Sequence, residues 1–211
     1  HDLCRRQRQM CIRDSRYPTA GGAGKEFAQP MYVNTPYGIS LAHNGNLTNS
    51  TNLASELFHA EKRHINTNSD SEVLLNIFAL ELSKQDAVYP QAQDFFAAVQ
   101  KTHMRINGAY AVITVIAGHG LLAFRDPLGI RPLIIGERQG KQRKEYVIAS
   151  ENALFTSLGF KTVRNVLPGE AIFIDNDGNL HSQQCFDKVQ NSPCIFAVSY
   201  THLTLPTTQV V

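Results

Sequence analysis

"LAHNGNLTN", residues Leu41–Asn49, is the stretch on which the reading of this chain turns. The residues leading into it, Tyr37–His43 (YGISLAH), alternate apolar and polar as a half-buried strand does. Asn44-Gly45 then predicts a tight turn, because both residue types tolerate the positive φ that a two-residue hairpin needs. A second reading of the same dipeptide stays open. Asn44 offers side-chain N–H donors, and Gly45 offers a backbone N–H that no side chain obstructs. Two donors converging on a developing alkoxide are what acyl-transfer chemistry requires, an oxyanion hole.

Downstream, Leu53, Leu57, Phe58 and Ala60 predict a helix over about 49–63. Ser69-Asp70-Ser71-Glu72 matches a capping box, and Val73, Leu74, Ile77, Phe78 and Leu82 follow at helical spacing. A third helix is expected over 91–103. The texture then changes to β-rich runs at 109–118, 120–126, 131–138 and 145–151, separated by Gly, Pro and charged turns. A short helix is expected over 152–158, then strands at 162–166 and 170–175. Asn176-Asp177-Gly178 reads as a hairpin turn into a last strand at 179–182. Strands grouped apart from helices mean α+β layers, not alternating βαβ units.

A chain of 211 residues that is 43% hydrophobic can bury one sizeable core. It contains no apolar run of the ~18 residues a membrane span needs and no secretory signal pattern, so a cytoplasmic protein without membrane contact is expected. Of 20 basic and 18 acidic residues, four Arg and two Asp fall in residues 1–15, so the body is balanced and gives no reason to expect nucleic acid. Cys4, Cys11, Cys185 and Cys194 are scattered without CxxC spacing, which argues against a disulfide framework or a zinc site. Residues 1–15 (HDLCRRQRQMCIRDS) and 198–211 (VSYTHLTLPTTQVV) lack periodicity and resemble translated adapter sequence. They are read as non-native tails around a single domain at 16–197.

Two more segments bear on chemistry. In RYPTAGG (residues 16–22), Pro18 holds Tyr17 extended, the glycines permit a mobile loop, and Arg16 can pair bidentately with a carboxylate. In NTNSDSE (residues 66–72), Asp70 opens a helix, where the N-terminus favours an ionised acid that could bind a ligand ammonium. Together these residues make a kit for glutamine: Arg16 for the α-carboxylate, Asp70 for the α-amine, and Asn44 with Gly45 for the side-chain amide.

Residues 16–197 resemble the glutaminase domain of the amidophosphoribosyltransferases. The likeness runs through RYPTAG, AQPMYVNTPYGISLAHNGNLTN, EKRHINTNSDSEVLLNIFALEL, INGAYAV, GHGLLAFRDPLGIRPL and VLPGEAIFI. It implies an N-terminal-nucleophile hydrolase fold, a four-layer αββα sandwich of antiparallel sheets, here truncated at its N-terminus. It implies that Arg16 and Asp70 hold L-glutamine, that Asn44 and Gly45 form the oxyanion hole, and that Tyr17 and Thr19 lie on a loop closing over the substrate. It also implies glutamine hydrolysis that supplies ammonia to phosphoribosyl diphosphate, giving 5-phosphoribosylamine in purine biosynthesis, by a homo-oligomer when full length.

The resemblance has gaps. The family's nucleophile is an N-terminal cysteine whose own α-amine serves as base. Cys11 has no free amine and lies five residues before Arg16, so it is expected to be inert, and the fragment inactive. The phosphoribosyl diphosphate and Mg2+ sites are implied only for a transferase domain beyond this sequence, so no cofactor is expected within it. Cys194 is expected to be a structural thiol and His43 a packing or hydrogen-bonding histidine. Asp126-Pro127 with Gly129 reads as a turn between strands. A non-catalytic glutamine-binding module, or another class II glutamine amidotransferase, are the alternatives.

Overall fold

The computed structural model describes residues 27–85, 87–141 and 143–194. Arg16, Tyr17, Thr19, Cys4, Cys11 and the expected tail at 198–211 therefore lie outside the described residues.

Strands β1 (Met31–Val33) and β2 (Ile39–Leu47) form an antiparallel hairpin with Met31 opposite Leu41 and Val33 opposite Ile39. The sharp positive φ values sit between them, at Tyr37 (63°) and Gly38 (73°), where Gly38 N–H donates to the Asn34 carbonyl. The expected turn at Asn44-Gly45 is not there. Instead β2 runs straight through to Leu47 and pairs residue for residue with β3 (Gly108–Ile116), Asn44 opposite Ala111 and Gly45 opposite Tyr110. The glycine has another cause. A Cβ on Gly45 would lie 1.9 Å from the Ala109 carbonyl oxygen, and one on Gly108 would lie 2.2 Å from that of Asn46. These two glycines let the paired strands close on each other.

Three helices follow β2: α1 (Ser50–His59), α2 (Asp70–Ser83) and α3 (Ala92–Arg105). Helix α1 is shorter than its sequence pattern predicts. Asn49, just before it, spends its side chain on the end of α3, donating to the Arg105 carbonyl and accepting from Asn107 N–H. Helix α2 is buried along its whole length except Ser83, which accounts for its nearly continuous apolar run. The predicted capping box of α2 forms only in part. Ser69 Oγ accepts from Ser71 N–H, but Glu72 reaches past Ser69 to the loop before it. The reciprocal carboxylate lies instead at α3, where Asp94 accepts from Gln91 N–H at 2.8 Å.

The remaining strands are β4 (Gly120–Arg125), β5 (Ile134–Gln139), β6 (Lys144–Ala149), β7 (Lys161–Asn165), β8 (Glu170–Asp175) and β9 (Leu180–Gln184). A six-stranded sheet runs β1-β2-β3-β4-β8-β9, and a three-stranded sheet runs β6-β5-β7, with antiparallel neighbours. Residue alternation assigns the faces. Val112 and Phe124 join Leu41, Leu57, Leu74, Phe78 and Phe95 in a core beneath the helices. Their neighbours Ala111 and Ala123 turn the other way and meet Leu133, Ile135, Ile172, Tyr146 and Ile148 between the two sheets. The described residues thus supply a helical layer and both sheets of an α+β sandwich. Residues 152–159 form turns rather than the expected short helix. Their bonds mostly span three residues, as from Gly159 N–H to the Thr156 carbonyl, and Phe155 is drawn against Gly136 of β5.

The Asp126-Pro127 turn is built around one fully buried carboxylate. Asp126 accepts from the N–H groups of Leu128 and Ile130, each at 3.0 Å, and of Arg131 at 3.1 Å. The Arg125 guanidinium donates to the carbonyls of Gly129, Arg131 and Val166, binding the same loop from the other side. The FRDPLGIRP phrase is the turn expected from sequence, with its own internal scaffold.

Candidate active site

Strand β1 covers the outer edge of β2 only as far as Leu41. Beyond that point, alternate residues of β2 present their N–H groups away from β3. His43 N–H donates to Gln29 Oε1 at 2.6 Å, and Leu47 N–H donates to Asp70 Oδ2 at 3.0 Å. By the same alternation the Gly45 N–H lies on that edge, between the other two. Strand geometry sets it about 6.7 Å from each. The outer donors are taken by side chains, and the glycine donor stands between them with no Cβ beside it.

Asn44 turns its side chain toward the second sheet. Its amide is exposed, and Nδ2 donates to Ser150 Oγ at 3.1 Å, just past the end of β6. Asp70 is the first residue of α2 and is buried, so the helix N-terminus and the Leu47 N–H both face its carboxylate. Strand β2 and the start of α2 therefore set Asn44, Gly45 and Asp70 close along one strand, Gly45 and Asp70 at an edge left open among the described residues and Asn44 on the face toward the second sheet. Three of the six residues singled out by sequence are gathered here, while Arg16, Tyr17 and Thr19 fall outside the described residues.

The support beneath this edge is polar and buried. Gln29 Nε2 donates to Ser71 Oγ at 3.1 Å, and His43 Nδ1 lies 3.1 Å from the same oxygen. Gln29, His43 and Ser71 thus form a closed ring joining the segment before β1, strand β2 and the first turn of α2. Burial is the main cause that lowers the pKa of His43, to about 4, outweighing the opposing pull of Asp70, while Arg131 adds to the lowering. The His43 imidazole is neutral near pH 7, and its buried Nε2 has no hydrogen-bond partner among the described residues. His43 packs and hydrogen-bonds, as expected from its sequence context.

Glu72 fastens the approach to α2. It accepts from the N–H and side chain of Asn66 and from the N–H and hydroxyl of Thr67, at 2.6 to 3.0 Å. Burial pushes its carboxyl upward, but these four bonds outweigh that and leave the pKa lowered. Of the described cysteines, Cys185 is buried with its thiol pushed up to about 12 by burial, so it is protonated at neutral pH. Cys194 is tied through its backbone, its N–H donating to the Ile130 carbonyl. Gln29 and Ser150 flank the site but carried no signal in the sequence, while Ser71 was marked only as part of the phrase that opens α2. Among the described residues no group of three or more His, Cys, Asp or Glu could hold a metal ion, and no helix is long and apolar enough to cross a membrane.

A helical layer over two stacked antiparallel sheets, with a glycine-bearing strand edge at the helix side, is the N-terminal-nucleophile hydrolase fold. Within it the chain belongs to the family of glutamine amidotransferase domains, which matches residues 23–157. It is similar to the amidophosphoribosyltransferase of Pasteurella multocida, 50% identical over 198 residues, covering 94% of this chain and 39% of the relative. The amidophosphoribosyltransferase of Escherichia coli is 51% identical over 197 residues, covering 93% of this chain and 39% of the relative. Among solved structures, one described as the allosteric regulatory enzyme of purine biosynthesis superposes with a TM-score of 0.69 at 32% identity. It covers 86% of this chain and 36% of its own. The glutamine phosphoribosylpyrophosphate amidotransferase of B. subtilis, complexed with ADP and GMP, gives 0.68 at 30% identity, covering 86% and 36%. The chain thus spans about 39% of the length of the curated relatives it matches, and that part is their glutamine amidotransferase portion.

Proposed function

We propose that residues 16–197 are the glutaminase domain of an amidophosphoribosyltransferase and that the open edge of β2 is its glutamine site. The observation that carries this reading is the row of three edge donors on β2. Asp70 occupies the Leu47 N–H and Gly45 offers the next one, about 6.7 Å along the strand. That separation suits an extended glutamine, with its ammonium on the free lone pairs of Asp70 and its amide oxygen at Gly45. Arg16 pairs with the α-carboxylate, and Tyr17 and Thr19 close over the ligand from the same loop.

The chemistry follows from the donors. A cysteine thiolate from outside the described residues attacks the amide carbon, and the carbonyl oxygen takes up the negative charge. Asn44 Nδ2 and Gly45 N–H receive that oxyanion. Collapse expels ammonia after proton transfer to the nitrogen, leaving a thioester, and water then releases glutamate. Cys11 takes no part. In the full-length protein the ammonia displaces diphosphate from phosphoribosyl diphosphate to give 5-phosphoribosylamine. The Mg2+ implied for that half-reaction would sit with the phosphoribosyl diphosphate it serves, in the transferase part of the full-length protein. A homo-oligomer in the cytoplasm, with no nucleic-acid partner, completes the proposal.

Calorimetric titration of the chain with L-glutamine tests the site, using Asp70→Asn as the decisive variant. An asparagine oxygen can still accept from Leu47 N–H, so the fold is retained while the charge facing the ammonium is lost. Loss of glutamine binding with an unchanged unfolding midpoint supports the proposal. Undiminished binding in that variant overturns it.

A further inference from the structure

The donor that stabilises an oxyanion must be aimed before the charge appears, because an amide that reorients during reaction gives up much of its effect. Asn44 is exposed, and the terminal torsion of an asparagine is broad and nearly two-fold. Turned the wrong way, the amide would present Oδ1 to the growing charge and oppose it. In the folded chain its nitrogen donates to Ser150 Oγ at 3.1 Å. Ser150 is half-buried and follows directly on β6, the edge strand of the three-stranded sheet. Its position is fixed from behind: Ala149 pairs with Ile134, and Ile148 packs into the core between the sheets.

We infer that Ser150 is a positioning residue for the oxyanion donor, its hydroxyl holding one Nδ2 proton of Asn44 so that the other faces the reacting carbonyl. The inference rests on the oxyanion reading of Asn44 given above. Ser150 touches no substrate atom and acts through Asn44 alone. It also gives the second sheet a part in the glutamine chemistry, because the aim of a donor on the first sheet then depends on where β6 ends.

The test is a double-mutant cycle on the glutaminase reaction of the full-length protein carrying this segment, read as kcat and KM separately. Ser150→Ala is expected to lower kcat about tenfold, the loss of one neutral hydrogen bond, with KM changed less than about twofold. Ser150→Thr, which keeps the hydroxyl, restores kcat to within about threefold. Asn44→Ala lowers kcat by about 10²–10³-fold. Adding Ser150→Ala to it costs nothing more, since the group being aimed is gone. An unchanged kcat in Ser150→Ala beside a large loss in Asn44→Ala overturns the role of Ser150 and leaves the site reading intact. A Ser150→Ala loss that persists undiminished in the Asn44→Ala background overturns it too. An Asn44→Ala variant with full kcat removes the oxyanion reading itself.

Discussion

Gly45→Ala separates a glycine needed for close strand approach from one needed for a turn. A methyl there would stand 1.9 Å from the Ala109 carbonyl oxygen and 2.8 Å from Tyr110 Cα. Side-chain carbons essentially never come within 3.0 Å of such atoms, so β3 would have to retreat by more than 1 Å. It has no room to do so cheaply, because it is hydrogen-bonded to β2 on one side and β4 on the other. The φ of 154° at Gly45 adds backbone strain for an L residue. Strain of about 1–3 kcal/mol and overpacking of about 1–3 kcal/mol give an expected loss of about 2–6 kcal/mol. Gly118→Ala supplies the control: its φ is 79°, but nothing lies within 4 Å of the added carbon. It should cost only the strain of a left-handed alanine, about 1–2 kcal/mol. Urea unfolding followed by circular dichroism reads both variants. If Gly45→Ala is no more destabilised than Gly118→Ala, the continuous β2 strand and the edge built on it are wrong.

Three further expectations follow from buried polar groups. Burial lowers His43 to about 4 and His103 to about 3, so the unfolded chain binds protons that the folded chain refuses. Their contribution is whole above pH 6.5, is lost progressively as pH falls from there toward the folded values, and levels off below them. By pH 5, where carboxylates are still largely ionised, the loss should be about 2 kcal/mol for each histidine; a flat unfolding midpoint between pH 7 and 5 would count against it. Asp126→Ala leaves the N–H groups of Leu128, Ile130 and Arg131 without their acceptor and should destabilise by about 3–5 kcal/mol in the same urea assay. Glu72→Ala frees Asn66 and Thr67 and should weaken glutamine binding by loosening the start of α2, an effect that calorimetry would register as a smaller association constant.

Elements set by local pattern were legible in the sequence. Strand β8 falls on Glu170–Asp175 as read, and Ser69 precedes α2 because capping chemistry acts over a few residues. The Asn44-Gly45 dipeptide misleads for the complementary reason. The dipeptide favours a hairpin locally, whereas the cause of the glycine is Ala109, on another strand. The site divides along the same line. Asn44, Gly45 and Asp70 stand in recognisable phrases, but the partners that hold them lie far off in the chain. Gln29 is 42 residues from Ser71, and Asn44 is 106 residues from Ser150. No periodicity or turn rule couples positions at that distance, and a lone Gln or Ser is ordinary surface composition until the fold brings it to a partner.

We propose that the middle donor on the exposed edge of β2 is reserved for the glutamine amide. Backbone and side-chain amide resonances of the isotopically labelled chain, followed during titration with L-glutamine, address it directly. Saturable shifts of the Gly45 N–H and the Asn44 side-chain NH2 are expected, with His43 N–H, already held by Gln29, moving far less. Shifts that saturate elsewhere while Gly45 stays still, or no shifts at all up to saturating glutamine, would contradict it.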